Sequence, residues 1–250
     1  MRILVKFAYL GWKFTGYQRG NGDRSVEDSI IELINEKQLG HGLRSAARTD
    51  RGVSALGNVF SIDSELNPKR ITGILNSSSE DIVFHHYAIV EDGFDCRKCT
   101  SKQYTYAISR DSVEPDSFRE RIKLFTGTHD YASFCRKDGR NTIRSIDRIE
   151  VREEGPLILA DFHSRGFLWN QLRSIVAYAA TNDEKYSGDP FKIEGRFPYL
   201  WGTEGLYLVD ITYGGIEFTR YISRKLALRQ RSAAIRSYTD SRIMESLSTY

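Results

Sequence analysis

The chain has 250 residues, of which 40% are hydrophobic and 12% aromatic, and its formal net charge is +3. This length exceeds the usual size of one hydrophobic core, so we expect one large or two medium ordered domains. No apolar run approaches the roughly 18 residues that a membrane-spanning helix needs, and the N-terminus alternates in polarity instead of forming a signal peptide. These features favour a cytoplasmic protein without a membrane partner.

Three cysteines stand in the chain, at Cys96, Cys99 and Cys135. Their odd number argues against a disulfide framework and agrees with a reducing compartment. Cys96 and Cys99 have the spacing of half a zinc knuckle or of a redox pair, but no second pair follows. We therefore expect ordinary thiols and no bound metal.

The first part of the chain predicts strand, loop and helix in succession. Alternating apolar residues in ILVKFAY predict an N-terminal strand. A helix is predicted in SVEDSIIELINEKQLG, where Ser25 with Asp28 forms an N-terminal cap and Gly40 is the stop signal. Further predicted elements are a strand in NVFSID, a short helix in PKRITGILNSS and a strand in DIVFHHYAIV.

The pattern begins again near Thr100. Strands are predicted in KQYTYAISR, IRSIDRIEVRE and LILADFHS, and helices in PDSFRERIKLFTG and GFLWNQLRSIVAYAA. Because short turns join the strand pairs, we expect mainly antiparallel sheets. The predicted class is α+β, with an N-terminal lobe at 1–98, a C-terminal lobe at 99–218 and a basic extension at 219–250.

The extension, Thr219–Tyr250, holds seven basic residues against two acidic ones, which gives +5 there and leaves −2 for the rest of the chain. A basic segment on a near-neutral body indicates a polyanionic partner, and the alternative is a solvated helix face. Apolar residues are expected to anchor this segment on the body as helical turns. They are Ile222, Leu226, Leu228, Ile235, Ile243, Met244 and Leu247.

The stretch ARTDRG places Arg48 and Asp50 just before Gly52. A cation beside an aspartate keeps the carboxylate ionised where a substrate excludes water. Gly52 allows a positive φ, so the chain can turn sharply and present Asp50 to a cleft. The residues alone leave open a second interpretation, a surface turn in which Asp50 caps its own backbone.

Two later segments add aromatic and cationic groups. In KQYTYAI, Tyr104 and Tyr106 lie on one face of a strand, where a ring can stack on a nucleobase or pack in the core. In GFLWNQLRSIVAY, Arg173 lies one turn beyond Trp169 on a predicted helix with an apolar stripe. An isolated arginine at such a position is otherwise a solvated charge.

Taken in order, these segments resemble the signatures of the TruA family of tRNA pseudouridine synthases. ARTDRGVSALGNVFSI resembles the family's G-R-T-D-A-G-V-H-A…G-Q-V, KQYTYAI its K-x-Y-x-Y strand, and GFLWNQLRSIVAY its F-L-x-x-M-V-R-x-I-V helix. YLGWKFTGYQR, SVEDSI, FDCRKCTSK and TEGLYLVDITY agree as well. The resemblance extends from Ile3 to Tyr213, and the basic extension beyond it is typical of an archaeal or otherwise divergent member.

The resemblance implies two α/β-sandwich lobes that meet at a central RNA-binding cleft, and a homodimer. It also implies a cofactor-free isomerisation of uridine to pseudouridine at positions 38, 39 and 40 of the tRNA anticodon arm. Asp50 is the implied catalytic carboxylate, which acts on C1′ or C6 as a nucleophile or on the 2′ proton as a base. The other implied site residues are Tyr104, stacked on the uracil; Arg173, paired with Asp50; Phe167 and Leu168, which wall the pocket; and Arg48, Arg19, Arg97 and Lys102, which contact RNA.

Several residues depart from the family pattern. They are Arg51 for alanine, Ser54 for histidine, Tyr17 for tryptophan, and Trp169, Asn170 and Gln171 ahead of the helix arginine. These departures leave open which nucleotides are modified, including other tRNA positions. A non-catalytic RNA-binding protein of the same fold is expected to have lost Asp50, Tyr104 or Arg173, and all three are present. A second rival is a zinc-dependent nucleic-acid enzyme that uses Cys96, Cys99 and a histidine. The H-x-E with P-C-x-x-C arrangement of zinc deaminases is missing, which weighs against this rival.

Overall fold

The computed structural model describes residues 1–20, 24–221 and 223–247, which contain a nine-stranded sheet, a separate two-stranded sheet and five α-helices. The strands are β1 (Arg2–Tyr9), β2 (His41–Ser45), β3 (Ser54–Asp63), β4 (Ile82–Val90), β5 (Ser101–Ser109), β6 (Gly127–Asp130), β7 (Ile143–Ile146), β8 (Arg148–Glu154), β9 (Leu157–Ser164), β10 (Leu206–Thr212) and β11 (Thr219–Arg220). The helices are α1 (Val26–Glu36), α2 (Pro68–Ser78), α3 (Pro115–Lys123), α4 (Gln171–Ala180) and α5 (Arg224–Leu247).

The large sheet has the strand order β11-β4-β1-β3-β10-β5-β9-β8, and β2 pairs with β3 outside this path. Its pairs are antiparallel except for β3–β10, which is parallel. That parallel pair is short, with Tyr207 opposite Ser54 and Leu208 opposite Ala55. The predicted α+β class with mainly antiparallel pairing is confirmed, and the strands of the two predicted units form one continuous sheet.

Helix α1 shows how the local sequence specifies an element. The Asp28 backbone N–H donates to Ser25 Oγ over 3.0 Å, which is the predicted N-terminal cap, and such a cap stabilises a helix by about 1 kcal/mol. The residues Val26, Ile30 and Ile34 are buried at helical spacing. The helix ends before Gly40, whose φ of 151° suits glycine.

Two aromatic clusters fill the cores, one on each half of the large sheet. One consists of Phe7 with Tyr9, Tyr17, Phe60 and Phe84, at ring-centroid distances of 5.5 to 6.4 Å. The other consists of Phe134 with Phe125, Tyr178 and Phe197, at 4.9 to 5.6 Å. Burial of each such side chain contributes roughly 1.5–3 kcal/mol, so both halves have a substantial core.

Some elements differ from their sequence predictions. Helix α4 begins at Gln171 and not at Gly166, because Asn170 has a left-handed backbone with φ 66°. The predicted single strand IRSIDRIEVRE divides at Asp147, since β7 pairs with β6 whereas β8 pairs with β9. Strands β2, β6, β10 and β11 were not predicted, and each depends on pairing with another strand.

The basic extension forms β11 on the edge of β4 and then the long helix α5. Leu226 is buried, and Arg229 Nη1 donates to the Ser79 carbonyl oxygen over 2.7 Å. The expectation that the apolar residues anchor the helix along its length is wrong, because most of them are exposed. These are Leu228, Ile235, Ile243, Met244 and Leu247. Ile222 lies outside the described residues.

Candidate active site

The loop Arg48–Gly52 lies between β2 and β3 and is held by hydrogen bonds to the N-terminal part of the chain. The Tyr17 backbone N–H donates to the Thr49 carbonyl oxygen over 3.1 Å. The Tyr9 hydroxyl and Thr49 Oγ1 share a hydrogen bond of 2.7 Å. Thr49 is buried by these contacts, whereas its neighbour Arg48 is exposed. The loop is therefore fixed to the sheet through Thr49, whereas Arg48 and Arg51 are exposed and Asp50 is half-buried.

Gly52 gives this loop its sharp turn. Its φ is +87°, the left-handed conformation that glycine adopts without steric cost. A Cβ atom placed on Gly52 would lie 2.5 Å from Thr203 Oγ1, so the space beside the turn is also restricted. The Val53 N–H donates to the Asp50 carbonyl oxygen over 3.1 Å and closes the turn. Asp50 thus projects from a backbone with little freedom to shift.

The Asp50 carboxyl is half-buried, and its pKa is set by burial and by two neighbouring side chains. Burial raises the pKa of Asp50, and this effect is the largest. The positive charge of Arg173 and, to a smaller extent, the Trp169 side chain act in the opposite direction and lower the pKa. The net result is a raised pKa, so the ionised carboxylate depends on both of these opposing groups.

Tyr104 lies on β5, and its ring packs edge-to-face against Phe167 with centroids 5.3 Å apart. The side chain is 8% exposed, which leaves little of it open to solvent. Burial raises the pKa of Tyr104 strongly, and the negative charge of Asp50 raises it further. The hydroxyl therefore stays protonated.

Arg173 lies on α4, and its position is set by Trp201. Arg173 Nε donates to the Trp201 carbonyl oxygen over 2.8 Å, and the Trp201 N–H donates to the Arg173 carbonyl oxygen over 3.1 Å. Its charge acts on Asp50 and on Tyr106, whose hydroxyl donates to the Gly202 carbonyl oxygen. No direct ion pair joins Arg173 to Asp50 in the part of the chain that the structure describes, so their interaction here is through space.

Phe167 and Leu168, the predicted pocket walls, lie between β9 and α4. Phe167 is half-buried against Tyr104, and Leu168 is 6% exposed. The Leu168 N–H donates to Gln171 Oε1 over 2.8 Å, which bridges the irregular turn before α4. Gln171 is fully buried and supports this turn, a function that its sequence position did not reveal.

The four residues predicted to contact RNA differ in their surroundings. Arg48 and Arg19 are exposed. Arg97 is exposed but forms a bidentate ion pair with Asp95, with nitrogen–oxygen distances of 2.9 and 2.8 Å. Lys102 Nζ donates to the Ala46 carbonyl oxygen over 2.7 Å, and burial lowers its pKa. Lys102 thus braces the start of the loop that carries Asp50.

Sequence reasoning missed two contributors to the site. Trp169 was noted only as a departure from a motif, yet its side chain acts on Asp50. Arg136 stands in an irregular segment after β6, and its guanidinium lies 4.0 Å from the centroid of the Trp169 ring. The tryptophan in WNQLR could have indicated a residue near the active site, because it stands close to Arg173 in the motif. Nothing in the sequence around Arg136 indicated a position near the site.

The three cysteines are free thiols. Cys96 Sγ donates to the Arg44 carbonyl oxygen over 3.2 Å and Cys99 Sγ to the Arg165 carbonyl oxygen over 3.5 Å. Within residues 1–20, 24–221 and 223–247, no three histidine, cysteine or carboxylate side chains are grouped to hold a metal ion. None of the helices described there has the length and apolar character to span a membrane.

A half-buried carboxylate, a cation that keeps it ionised and a protonated tyrosine, brought together from distant parts of the chain, have the composition of an enzyme active site. Comparisons with known proteins agree. A family described as "tRNA pseudouridine synthase" matches residues 122–189. The tRNA pseudouridine synthase A of Thermoplasma acidophilum is 43% identical over 215 residues, which cover 86% of this chain and 85% of the relative.

More distant relatives extend the same match. The tRNA pseudouridine synthase A of Pyrococcus abyssi is 40% identical over 232 residues, covering 87% of each chain. That of Methanosarcina mazei is 31% identical over 247 residues, covering 93% of this chain and 91% of the relative. The chain belongs to the TruA family of tRNA pseudouridine synthases.

Among solved structures, the chain is similar to a protein in the "Crystal Structure of a Cbf5-Nop10-Gar1 Complex". The TM-score is 0.41 and the identity 15%, and the match covers 82% of this chain and 48% of that one. A likeness this low carries no argument about function.

Proposed function

We propose that this protein forms pseudouridine at positions 38, 39 and 40 of the tRNA anticodon arm. The reaction itself, isomerisation of uridine in tRNA, follows from membership of the family. The positions are the finer part of the proposal and rest on the resemblance of the sequence motifs. The observation that carries the catalytic assignment is Asp50, a half-buried carboxylate under the charge of Arg173 and next to protonated Tyr104.

The reaction breaks the bond between ribose C1′ and N1 of uracil and forms a bond between C1′ and C5. N1 gains a proton, and the proton on C5 leaves to solvent, so atoms and charge balance without a cofactor. A base in a stem or loop must first leave its stack, at a cost of a few kcal/mol. Asp50 then acts at C1′ or C6 as a nucleophile, or on the 2′ proton as a base, and each route needs its ionised form.

The remaining site residues receive roles from their chemistry. We propose that the Tyr104 ring stacks on the flipped uracil, and that Phe167 and Leu168 wall the apolar side of the pocket. Arg173 keeps Asp50 ionised by its charge, and closure of the site around RNA brings the guanidinium into direct contact with the carboxylate. The Tyr104 ring matches the planar uracil, and the Arg173 cation matches the charged Asp50 carboxylate at the reaction centre.

Binding of the tRNA body is assigned to basic side chains outside the pocket. Arg48 and Arg19 are exposed and are proposed to contact phosphates. Arg97 would exchange its bond to Asp95 for a phosphate, and Lys102 contributes positive potential beneath the loop. Helix α5 has six basic residues against two acidic ones, and we propose that it extends the footprint along the tRNA stem.

The proposed lobes, oligomeric state and cellular compartment also rest on the family resemblance. We propose lobes at 1–98 and 99–218 that face each other across an RNA-binding cleft, and a homodimer as the working form. We also propose that the protein acts in the cytoplasm, where tRNA is matured. Gel filtration with light scattering would test the dimer directly.

The decisive experiment is tritium release from tRNA labelled at C5 of uridine, measured with a chelator present. The modified nucleotides are then mapped in tRNAs that carry cytidine in place of uridine at positions 38, 39 and 40, first singly and then all together. Release that survives chelation and disappears with these replacements supports the proposal. Binding without release would favour the rival, a non-catalytic RNA-binding protein, and release that persists with all three replaced would favour other tRNA positions.

The first prediction is that Asp50→Asn abolishes tritium release and leaves tRNA affinity within about threefold, because phosphate contacts dominate binding. The amide has nearly the shape of the carboxylate but carries no charge and cannot act as base or nucleophile. Release is measured at saturating enzyme, and affinity by filter binding. Asp92→Asn, a change of the same kind at an exposed site, serves as the control. Turnover by pure Asp50→Asn protein would remove Asp50 from the mechanism.

A further inference from the structure

The exposed indole of Trp169 stands beside the pocket proposed for the uracil. Trp169 is 40% exposed, whereas Leu168, a proposed wall of that pocket, is 6% exposed. Phe167, two residues before the tryptophan, packs edge-to-face on Tyr104 with ring centroids 5.3 Å apart. Because a chain advances at most about 3.6 Å per residue, the Trp169 Cα lies within about 7 Å of the Phe167 Cα. A large ring at the margin of the pocket is therefore partly open to solvent.

The turn that carries this indole has a fixed backbone. Asn170 has a left-handed conformation with φ 66°, so Trp169 precedes the regular turns of α4. The Trp169 carbonyl oxygen accepts a hydrogen bond from the Arg136 backbone N–H over 2.9 Å. Arg136 itself directly follows Phe134 and Cys135, both of which are buried in the core. The indole is thus presented from a rigid support although the ring is exposed.

The Arg136 side chain covers part of the ring. Its guanidinium lies 4.0 Å from the Trp169 ring centroid, which is within the range of a cation–π interaction. A guanidinium is planar and weakly hydrated, so it stacks on aromatic faces more readily than an ammonium does. No aromatic ring packs on this indole within residues 1–20, 24–221 and 223–247. In this part of the chain the stacking partner of Trp169 is thus Arg136, and the rest of the exposed ring is open.

The segment around Arg136 is basic. Residues 136–140 contain Arg136, Lys137 and Arg140 against Asp138, so three minus one gives +2, and these four residues are exposed. Arg140 Nε donates to Asp138 Oδ2 over 2.8 Å. Arg136 and Lys137 form no ion pair in the part of the chain that the structure describes. An open ring beside positive charge favours a polyanion that carries aromatic groups, and it disfavours a second copy of this basic segment.

A nucleotide next to the target uridine has the properties that this surface requires. The family acts on uridine in tRNA, and the target base must leave its stack before its sugar can be reached. Each neighbour of the flipped base then has one face without a stacking partner. An exposed aromatic ring can cover that face whatever the base is, because every base has a π-face. The positive charges of Arg136 and Lys137 attract the phosphates of the same strand.

We propose that the Trp169 indole is a stacking platform for the base of a nucleotide next to the target uridine, and that Arg136 holds the platform by stacking on the ring. This inference rests on the proposed function in one respect, because it takes the pocket beside Tyr104 as the place where the uridine binds. The platform makes and breaks no bond. Its contribution is to tRNA affinity and to the placement of the strand.

The first test follows the fluorescence of Trp169 alone. The chain has three tryptophans, so Trp12→Phe and Trp201→Phe together leave Trp169 as the only one. Saturating tRNA should quench its emission, because a stacked base quenches an indole by contact. The titration is repeated with tRNAs that each lack one base, at successive nucleotides of the chain. Removal of one base next to the target uridine should abolish the quenching, whereas removal of the target uracil itself should not.

Trp12 provides a matched control for the fluorescence. It is 71% exposed, and Lys13 Nζ lies 5.3 Å from its ring centroid, so it is also an open indole with a cation beside it. Trp169→Phe with Trp201→Phe leaves Trp12 as the only tryptophan. Its emission should be the same with every tRNA that lacks a base. Equal responses of Trp12 and Trp169 to the same missing base would overturn the proposal.

The second test measures affinity by filter binding. Trp169→Ala should weaken tRNA binding about 5- to 20-fold, in the range of base–aromatic stacking. The same substitution should cause no further loss with the tRNA that lacks the stacked base. Exchange of that base for any other base should change the affinity of the wild-type protein by less than about threefold, because stacking tolerates every base. Circular dichroism confirms that each variant is folded.

Variants of Arg136 test its part in the platform. Arg136→Gln keeps the backbone bond to Trp169 and removes the cation from the ring, so affinity should fall about 2- to 5-fold. In the Trp169→Ala background the same change should have almost no effect, because there is no ring to stack on. Lys137→Gln removes the adjacent charge and should have equal effects in both backgrounds. Equal losses from Arg136→Gln in both backgrounds would overturn the role given to Arg136.

These measurements are independent of the test of the proposed function because none of them needs turnover. Quenching that maps to one base would support the platform even in a protein that forms no pseudouridine. Trp169 emission that saturating tRNA leaves unchanged, or quenching that survives the removal of every base in turn, would overturn the proposal. Emission that changes with protein concentration and not with tRNA would assign the indole to a contact between copies of the chain, and would overturn it as well.

Discussion

At the level of single residues, burial and neighbouring charge together set the protonation states of the site. Burial alone would leave Asp50 protonated over a wider pH range, and the influence of Arg173 and Trp169 opposes it. Tyr104 experiences burial without an opposing cation, and its hydroxyl stays protonated. The Asp50 carboxyl and the Tyr104 hydroxyl are thereby held in different charge states, which is the condition for separate roles in one reaction.

Tyr104 offers a test that separates the ring from the hydroxyl. Tyr104→Phe keeps the stacking surface, whereas Tyr104→Ala loses it, and base–aromatic stacking is worth about 1–3 kcal/mol. We expect the alanine variant to lose at least about tenfold in single-turnover rate, and the phenylalanine variant to lose rate only if the hydroxyl handles a proton. Tyr207→Ala, on the neighbouring strand, controls for damage to the sheet. A wild-type rate in Tyr104→Ala would show that the ring does not face the uracil.

Arg173→Lys is expected to be a damaging substitution although it conserves the charge. Ammonium cannot reproduce the planar guanidinium, which bonds the Trp201 carbonyl oxygen and can donate two parallel hydrogen bonds to a carboxylate. The plateau rate should fall up to about 100-fold through misorientation, while the acid limb stays near its wild-type position because the charge remains. Single-turnover pH profiles measure both quantities. Arg152→Lys, at an exposed ion pair, is the control, and a near-normal plateau would contradict the assignment.

At the level of elements, the loop Arg48–Gly52 is precise because other elements hold it. Tyr9 from β1 and Tyr17 from the segment before α1 bind Thr49, and Lys102 from β5 binds the Ala46 carbonyl oxygen. A loop held by such supports presents its side chains from a rigid scaffold. The conformation of Gly52 then sets the direction in which Asp50 projects.

Gly52→Ala tests this dependence. The new Cβ would meet Thr203 Oγ1 at 2.5 Å and would sit on a backbone with φ +87°, a conformation that costs a non-glycine residue about 1–3 kcal/mol. We expect the free energy of unfolding to fall by that amount and the single-turnover rate to fall with it as Asp50 shifts. Gly93→Ala is the matched control, since φ is +82° there and no atom lies within 4 Å of the new Cβ. It should lose stability but not rate, and equal rate losses in both variants would refute a specific role for the turn.

At the level of the whole molecule, the continuous sheet brings the site together. Strand β10 lies between β3, which follows the Asp50 loop, and β5, which carries Tyr104. The parallel pairing of β3 with β10 spans only two residue pairs, yet it places β3 and β5 on either side of the same strand, β10. Helix α5 lies outside this arrangement, and its predicted effect is on tRNA binding.

Helix α5 should contribute to tRNA binding and not to chemistry. Removal of everything after Tyr213 would also delete β11 and the packing of Phe218 on Tyr213, so substitution is the cleaner test. Replacement of three exposed arginines by glutamine should reduce the salt slope of binding by about one unit for each side chain that contacts a phosphate. These are Arg224, Arg231 and Arg236, while Arg229 is kept because it binds Ser79.

The same triple variant should keep the wild-type single-turnover rate at saturating enzyme. Filter binding over a range of salt concentrations measures the slope, and Arg152→Gln on β8 provides a control that should leave the slope unchanged. A triple variant that is folded and retains the wild-type slope would eliminate α5 from the RNA footprint.

Local chemistry in the sequence was enough to predict the cap at Ser25, most strands and helices, the α+β class, and the loop of Asp50 with its glycine turn. Those features depend on residues within a few positions of each other, and the motif resemblance added the family. Contacts between distant segments could not be predicted in this way. Four features were decided only by the packing of the folded chain. They are the pairing of β3 with β10, the hydrogen bond from Lys102 to the loop, the stacking of Arg136 on Trp169 and the exposure of α5. No local sequence pattern specifies which distant surface a side chain will meet.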